Sequence, residues 1–334
     1  MDEVKQLVKD IQNGQLKPIY FLMGEEPYYI DKLSEYIEDN VLDESEKGFN
    51  QMVLYGRDVS IEDIVANAKR YPMMAERQVV IIKEAQDLSR TIEKLTSYAE
   101  NPQMTTVLVI NYKYKKLDKR KALFKAINKV GVVFESKKLY ENQVGEWIRR
   151  VLSAKKYSIA PKAAQMLVEF LGTDLSKINN ELEKLQLNIN EGGQITPELI
   201  EENIGISKDF NNFELRKAVG ERNKVKAFQI INYFAENPKD NPVVVTVALL
   251  YNFFAQLLHY HGLNDKSPRA VASSLRINPY FVSEYANAAK NFPMKKVSQV
   301  ISTLRTYDIK SKGVGANALP NGDILKELLV QIFD

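Results

Sequence analysis

Four groups of residues have the types and spacing to do chemistry. The first is the turn in KPIYFLMGEEPYYIDKL, residues 17–33, where the apolar run 19–23 ends on Gly24 and a helical pattern follows. A phosphate loop sits at such a place, with the pattern G-x-x-x-x-G-K-[ST]. Its glycines let backbone N–H groups surround the phosphates, its lysine neutralises charge and its hydroxyl holds Mg²⁺. Counted from Gly24, Tyr29 and Ile30 stand where the second glycine and the lysine belong, and Asp31 replaces the hydroxyl. Glu25 and Glu26 would face a polyanion. Gly24, Glu25 and Glu26 thus form a degenerate nucleotide loop that is not expected to bind. Its acids suit the positive end of the following helix.

The second group is the strand end VVIIKEAQ. Nucleotide hydrolases of this architecture place Asp-Glu there for Mg²⁺ and water, whereas this chain has Lys83 and Glu84. A single carboxylate after a lysine is a poor metal site, and an exposed strand end is the plain alternative. The third group is NYKYKKLDKRKALFKAINK, with Lys113, Lys115, Lys116, Lys119 and Arg120 near Tyr112 and Tyr114. Basic groups among aromatics suit a nucleic-acid backbone with optional stacking. A solvated helix face with Leu117, Leu123, Phe124 and Ile127 turned inward explains the same pattern. Arg149 and Arg150 after Trp147 carry the same two readings, and Trp147 itself has core spacing with Val144 and Val151. The fourth group is His259 and His261, the only histidines. Their i,i+2 spacing puts them on different sides of a helix, unlike an i,i+4 metal pair. No metal site and no Ser–His–acid arrangement is expected.

One further stretch, AKRYPMMAERQVVII, carries a contact surface rather than a reaction. Pro72 stops a helix and biases Tyr71 away from helical angles. Tyr71, Pro72, Met73 and Met74 are then consecutive and apolar. Neighbouring side chains diverge by about 100° on a helix and 180° on a strand, so they cannot all enter one core. At least one should point at solvent or a partner, and methionine suits an adaptable binding surface. The alternative is that both methionines fill gaps beneath the sheet.

The elements that must position these groups alternate in the first part. Strands are expected over 19–23, 49–55, 78–82, 106–110 and 132–135. Helices are expected over 1–14, 28–41, after Ser60, over 88–99 and over 117–130. Helices between short apolar strands imply a mostly parallel sheet covered on both faces. From 141 to 204 only helices are expected, over 144–152, 162–171, 175–188 and after Thr196, whose following proline suits the first helical position. From 211 onward the chain is helical, with breaks at 237–238, 264–268 and 313–322.

Bulk composition agrees. The chain has 334 residues, 45% hydrophobic and 27% charged, with net charge +3. That is a globular protein of two or three domains whose near-balanced charge requires any nucleic-acid surface to be local. Cysteine is absent, which excludes disulfides, zinc–thiolate sites and thiol catalysis. The N-terminus is a charged amphipathic helix without a signal core, and no apolar run approaching the ~20 residues of a bilayer span is evident. A cytoplasmic protein with no membrane partner is expected.

In order along the chain, KPIYFLMGEEPYYIDKL, YPMMAERQVVII, YENQVGEWIRRVL, LGTDLSKINNELEKLQL and YDIKSKG resemble segments of the delta-subunit family of bacterial DNA polymerase III clamp loaders. The resemblance covers essentially the whole chain and implies an AAA+-like α/β domain over 1–140 with a degenerate phosphate loop. A small helical lid over 141–208 and a C-terminal helical collar over 209–334 would follow. It implies a non-ATPase subunit of the polymerase III holoenzyme, a nucleotidyltransferase complex, with no cofactor and no catalytic residue of its own. The subunit would bind the sliding clamp (beta subunit) and open it for loading onto primed DNA, and meet other loader subunits through the collar. The family's clamp-binding pair falls on Met73 and Met74, beside Tyr71 and Pro72. Many members have a leucine and an aromatic there, so two methionines keep the apolar bulk without the ring. DNA contact, if made by Lys113, Lys115, Lys116, Lys119, Arg120, Arg149 or Arg150, would be independent of sequence. Two other classes fit the residues: an active ATPase with an unusual loop, and a stand-alone nucleic-acid-binding protein.

Overall fold

The apolar runs of the first part form an all-parallel sheet of β1 (Ile19–Gly24), β2 (Gln51–Tyr55), β3 (Gln78–Lys83), β4 (Thr106–Lys113) and β5 (Val132–Ser136). The strand order is β2-β3-β4-β1-β5. In the register, Leu22 lies opposite Asn111 on one side and Phe134 on the other. β1 is buried along its whole length, as a central parallel strand must be when helices cover both faces. This computed structural model describes residues 2–205, 207–313 and 320–334.

The chain divides into two compact units, Met1–Leu139 and Tyr140–Asp334. In the first, α1 (Asp2–Gln12) and α2 (Pro27–Asn40) cover one sheet face. There Ile30, Leu33 and Ile37 of α2 pack with Tyr20, Leu22, Val79, Ile81, Val107 and Phe134 of the strands. The short α3 (Glu44–Asn50) precedes β2. On the other face α4 (Ile61–Ala68), α5 (Thr96–Glu100) and α6 (Ala122–Val130) cover Phe21, Met23, Val80, Ile82, Leu108 and Ile110.

Three expected elements differ from what forms. Residues 49–50 close α3 rather than open β2, because Asp43 and Glu46 make a capping box that starts a helix. In place of one helix over 88–99 the chain forms the end of a 3₁₀ turn, Ala85–Leu88, a second 3₁₀ turn, Ile92–Leu95, and then α5. The apolar spacing is helical, but Thr91 and Thr96 direct their hydroxyls to the carbonyls of Leu88 and Glu93, and the chain tightens to i→i+3 bonds. Helix α6 begins at Ala122 instead of 117, because Asp118 accepts the Arg120 N–H and folds 118–121 into a turn.

The second unit starts with α7 (Glu141–Ala154), α8 (Pro161–Leu171), α9 (Leu175–Gln186) and α10 (Pro197–Ile204). The helices-only expectation is corrected by a small parallel pair, β6 (Ser158–Ile159) with β7 (Gln194–Ile195). Then come α11 (Asn212–Gly220), α12 (Lys224–Glu236), α13 (Val243–Gly262), α14 (Pro268–Leu275), α15 (Val282–Asn291), α16 (Met294–Ser311) and α17 (Asn321–Phe333). Asp174, Thr196, Asn211 and Asn223 each accept a first-turn N–H and fix where a helix begins. The breaks fall at 237–238 and 264–268 as the pattern requires, while 314–319 lie outside the described residues. The expected boundary between 208 and 209 lies inside this unit. Across it Lys162 on α8 meets Glu214 on α11 at 2.6 Å, and Arg216 on α11 lies 3.9 Å from Glu169 of α8.

Helix α13 corrects the reading that no apolar run reaches span length. It has 20 residues, with a mean hydropathy of 1.5 over an 18-residue window, long and apolar enough by length and composition alone. Val243, Val247, Leu250, Phe253, Phe254 and Leu257 on it pack into the bundle core with Ile230, Leu304 and Leu328.

Candidate functional site

The stretch between α4 and β3 is an exposed apolar tip. Helix α4 begins on a capping box, with Asp63 N–H on the Ser60 hydroxyl at 3.1 Å and Ser60 N–H on the Asp63 carboxylate at 2.9 Å. Its inward stripe is Ile61, Ile64 and Ala68. Its last carbonyls are taken up by side chains. Ala68 O accepts from the Thr106 hydroxyl at 2.8 Å and the Tyr98 hydroxyl at 3.3 Å. The buried Gln78 carboxamide donates to the carbonyls of Asn67 and Arg70 and to the Thr106 hydroxyl.

Beyond Arg70 the chain turns outward. Tyr71 is 77% exposed and Met73 54%, Met74 is fully exposed, and Pro72 is half-buried. The expectation that at least one of the four faces solvent holds, and the alternative of two gap-filling methionines does not. Met74 sits in the left-handed region at φ 53°, a costly conformation for a residue with a long side chain. Met73 is pinned from across the fold: its N–H donates to Asn50 Oδ1 at 2.6 Å, and Asn50 Nδ2 donates to its carbonyl at 3.0 Å. Sequence reasoning missed Asn50 and Gln78, and also Phe49, which is 72% exposed at the end of α3. The Asp43/Glu46 capping box was the available signal for α3. Nothing local marks Asn50 or Gln78.

The glycine turn spends its amides on the protein itself. Glu25 N–H donates to Ser136 O at 3.0 Å and Glu26 N–H to the same oxygen at 3.5 Å, while Gly24 N–H donates to Lys115 O at 3.1 Å. Glu26 caps α2 by accepting the Tyr28 N–H at 3.0 Å. Carboxylates around the turn are matched by lysines. Lys113 Nζ lies 2.8 Å from Asp31 and 2.6 Å from Glu84, so the residue at the hydroxyl position and the acid at the end of β3 share one ammonium. Lys116 bridges Glu25 and Glu135 at 3.1 and 3.2 Å, and Lys83 pairs with Glu38 at 3.1 Å. Burial draws the Lys113 ammonium down, the two carboxylates push it up, and the net shift is upward. Burial pushes Glu84 up, Lys113 and Gln86 draw it down, and the net shift is below the ordinary carboxylate range.

The basic groups are largely paired as well. Besides Lys113 and Lys116, Lys119 lies 3.5 Å from Glu135 and Arg120 lies 2.7 Å from Asp118. Arg149 and Arg150 both meet Glu146, at 2.7 and 3.1 Å. Lys115 donates to the Ser89 hydroxyl at 2.7 Å. Tyr112 is buried while Tyr114 is exposed, so the two rings do not form one stacking face. Trp147 is core. His259 meets the Ser274 hydroxyl and His261 the Phe292 carbonyl, and among the described residues no group of three or more potential metal ligands occurs.

Known proteins bear on this arrangement. A family model described as DNA polymerase III, delta subunit, matches residues 20–137, and one described as the DNA polymerase III delta subunit, C-terminal domain, matches 209–330. The chain belongs to the DNA polymerase III delta-subunit family. The two matches together cover more than two thirds of it. The Bacillus subtilis DNA polymerase III subunit delta is 27% identical over 336 residues, covering 97% of this chain and 94% of its own. The solved structure of the Bacillus subtilis DNA clamp loader delta protein (YqeN) superposes with a TM-score of 0.55 at 25% identity, covering 99% of both chains. The helix-flanked parallel sheet and the helical C-terminal part are thus the AAA+-like fold of this family of replication proteins. The tip at 71–74 and the glycine turn at Gly24 both fall within the match to the delta-subunit model.

Proposed function

We propose that the chain is a clamp-loader subunit that grips the ring-shaped sliding clamp through Tyr71, Pro72, Met73 and Met74 and favours the open ring, without hydrolysing ATP itself. The observation that carries this is the tip. Scattered exposed apolar residues are ordinary, but three large ones close together on a held stretch of backbone mark a contact face. Family membership, and the name of the Bacillus subtilis clamp loader delta protein, support the clamp as the partner. A ligand shifts an equilibrium only through its differential affinity, so the tip opens the ring by binding the open form better.

The internally bonded glycine turn and the lysine-matched carboxylates support a chain that contributes no ATP hydrolysis. Motion that exposes or withdraws the tip would come from neighbouring subunits. In this reading 1–140 is the clamp-binding domain, 141–208 a lid, and 209–334 a collar that joins the other loader subunits. Primed DNA is a secondary, sequence-independent contact, limited by how many of its basic groups are already paired.

The test is the full-length variant Met73→Ala/Met74→Ala against the purified cognate clamp by surface plasmon resonance. Each buried methionine contributes about 1.5 kcal/mol or more, so the pair should lose roughly 100-fold or more in affinity. Its circular dichroism melt should match the parent's. Binding equal to the parent's would sink the assignment, and micromolar ATP binding by calorimetry would return the chain to the nucleotide hydrolases.

A further inference from the structure

Between the Arg70 amide, which still bonds to α4, and the Gln78 amide, which opens β3, the described residues 71–77 make no backbone–backbone hydrogen bond. A stretch of this kind should be mobile, because nothing offsets the entropy of ordering it. Side chains hold it instead: Arg77 donates to the Met104 carbonyl at 3.2 Å at its far end, and two carboxamides hold its base and middle. Gln78 takes the Arg70 carbonyl at 2.5 Å, at the base of the stretch. Asn50 reaches the middle, taking both the N–H and the carbonyl of Met73 as a neighbouring strand would. The Asn50 side chain is itself fixed, buried at 5% exposure at the end of α3 with a third bond from Nδ2 to the Glu46 carbonyl. The next residue, Met74, is held at φ 53°, a conformation a free methionine would leave.

We infer that Asn50 is a positioning residue for the docking tip, keeping Met73 and Met74 in their binding geometry before the partner arrives. This rests on the reading of the tip as the clamp contact. The tip is then a preformed wedge rather than a disordered segment that folds on binding, and its affinity is not reduced in proportion to a small competent fraction. Asn50 touches no partner in this scheme, because its carboxamide is buried and consumed by Met73 and Glu46.

The test compares full-length parent, Asn50→Ala, Asn50→Asp, Met73→Ala/Met74→Ala and the triple variant. Each is measured for association and dissociation rates on immobilised clamp and for amide hydrogen exchange. Asn50→Ala should weaken binding about tenfold, mostly through slower association, since fewer molecules present a formed tip. Exchange should speed up at 73–75 and stay unchanged in β3 and β4. Asn50→Asp keeps the acceptor for the Met73 N–H and should fall between parent and Asn50→Ala. The triple variant should bind no worse than the double methionine variant. Parental binding by Asn50→Ala, an equal further loss in the methionine-free background, or faster exchange spread across the strands would each overturn the inference. Should Asn50→Ala not fold, parental binding by Asn50→Asp would overturn it equally. Normal binding by the double methionine variant strikes the proposed function itself, a different result from any of these.

Discussion

Gly24 stands where a phosphate loop would begin, yet the close approach its backbone makes is to the protein itself. In a phosphate loop a glycine lets the backbone approach a ligand. Here the approach is to β5: a Cβ on Gly24 would stand 2.0 Å from the Ser136 carbonyl oxygen, and the residue sits at φ 131°. Both facts forbid a side chain regardless of any nucleotide. Gly24→Ala should therefore destabilise the first unit by roughly 2 kcal/mol or more, combining backbone strain with overpacking. Urea denaturation checks this, and the loss should be the same with and without ATP and Mg²⁺. A variant as stable as the parent would mean that β1 and β5 are not locked this closely. The neighbouring Lys113 makes the same point from the charge side. Its ammonium lies between Asp31 and Glu84, where a bound nucleotide would need a divalent cation.

At the scale of elements, α4 ends where it does because side chains receive its carbonyls. Gln78 does most of this, reaching the carbonyls of Asn67 and Arg70 from the first position of β3. Gln78→Leu keeps the volume and removes the donor, leaving buried acceptors unsatisfied at a cost of about 1–3 kcal/mol. Hydrogen exchange should rise at 69–73 and the denaturation midpoint should fall, while α2 on the opposite sheet face stays protected. Unchanged exchange at 69–73 would show that Thr106 and Tyr98 alone close the helix. What the sequence made legible follows the same division. The strands and α2 were readable because burial of both sheet faces writes continuous apolar runs, and a helix writes a period of 3.6. That at least one of residues 71–74 faces outward was readable, because Pro72 ends a helix and four adjacent apolar side chains cannot share one core, but the pattern left open whether the two methionines fill gaps beneath the sheet. The 3₁₀ turns at 85–95 were not, since their apolar spacing imitates a helix while threonine hydroxyls decide the hydrogen bonds. The anchors were not readable either: Asn50 lies 23 positions from Met73 and Gln78 lies 28 from Thr106, separations at which no local pattern carries information.

For the whole molecule, the division into Met1–Leu139 and Tyr140–Asp334 separates two cores that each close on themselves. The first contains every group argued to present the tip: α4, Asn50, Gln78 and the sheet with helices on both faces. A chain of that length buries enough surface to fold alone. Fragment 1–139 should therefore give one cooperative melt and bind the clamp within a few-fold of full-length affinity, because the wedge is formed inside it. Fragment 140–334 has its own helical core, from Leu215 to Phe333, and should fold without binding the clamp. If 209–334 is the collar, only this second fragment should co-purify with the other loader subunits, and mixing the two fragments should not restore a complex that loads clamps onto primed DNA. The covalent link matters in that case because it turns a contact at the collar into a local concentration of tip at the ring. Failure of 1–139 to bind the clamp while it folds normally would show that part of the contact lies beyond Leu139, and the tip alone would then be too small an account of how this subunit holds its partner.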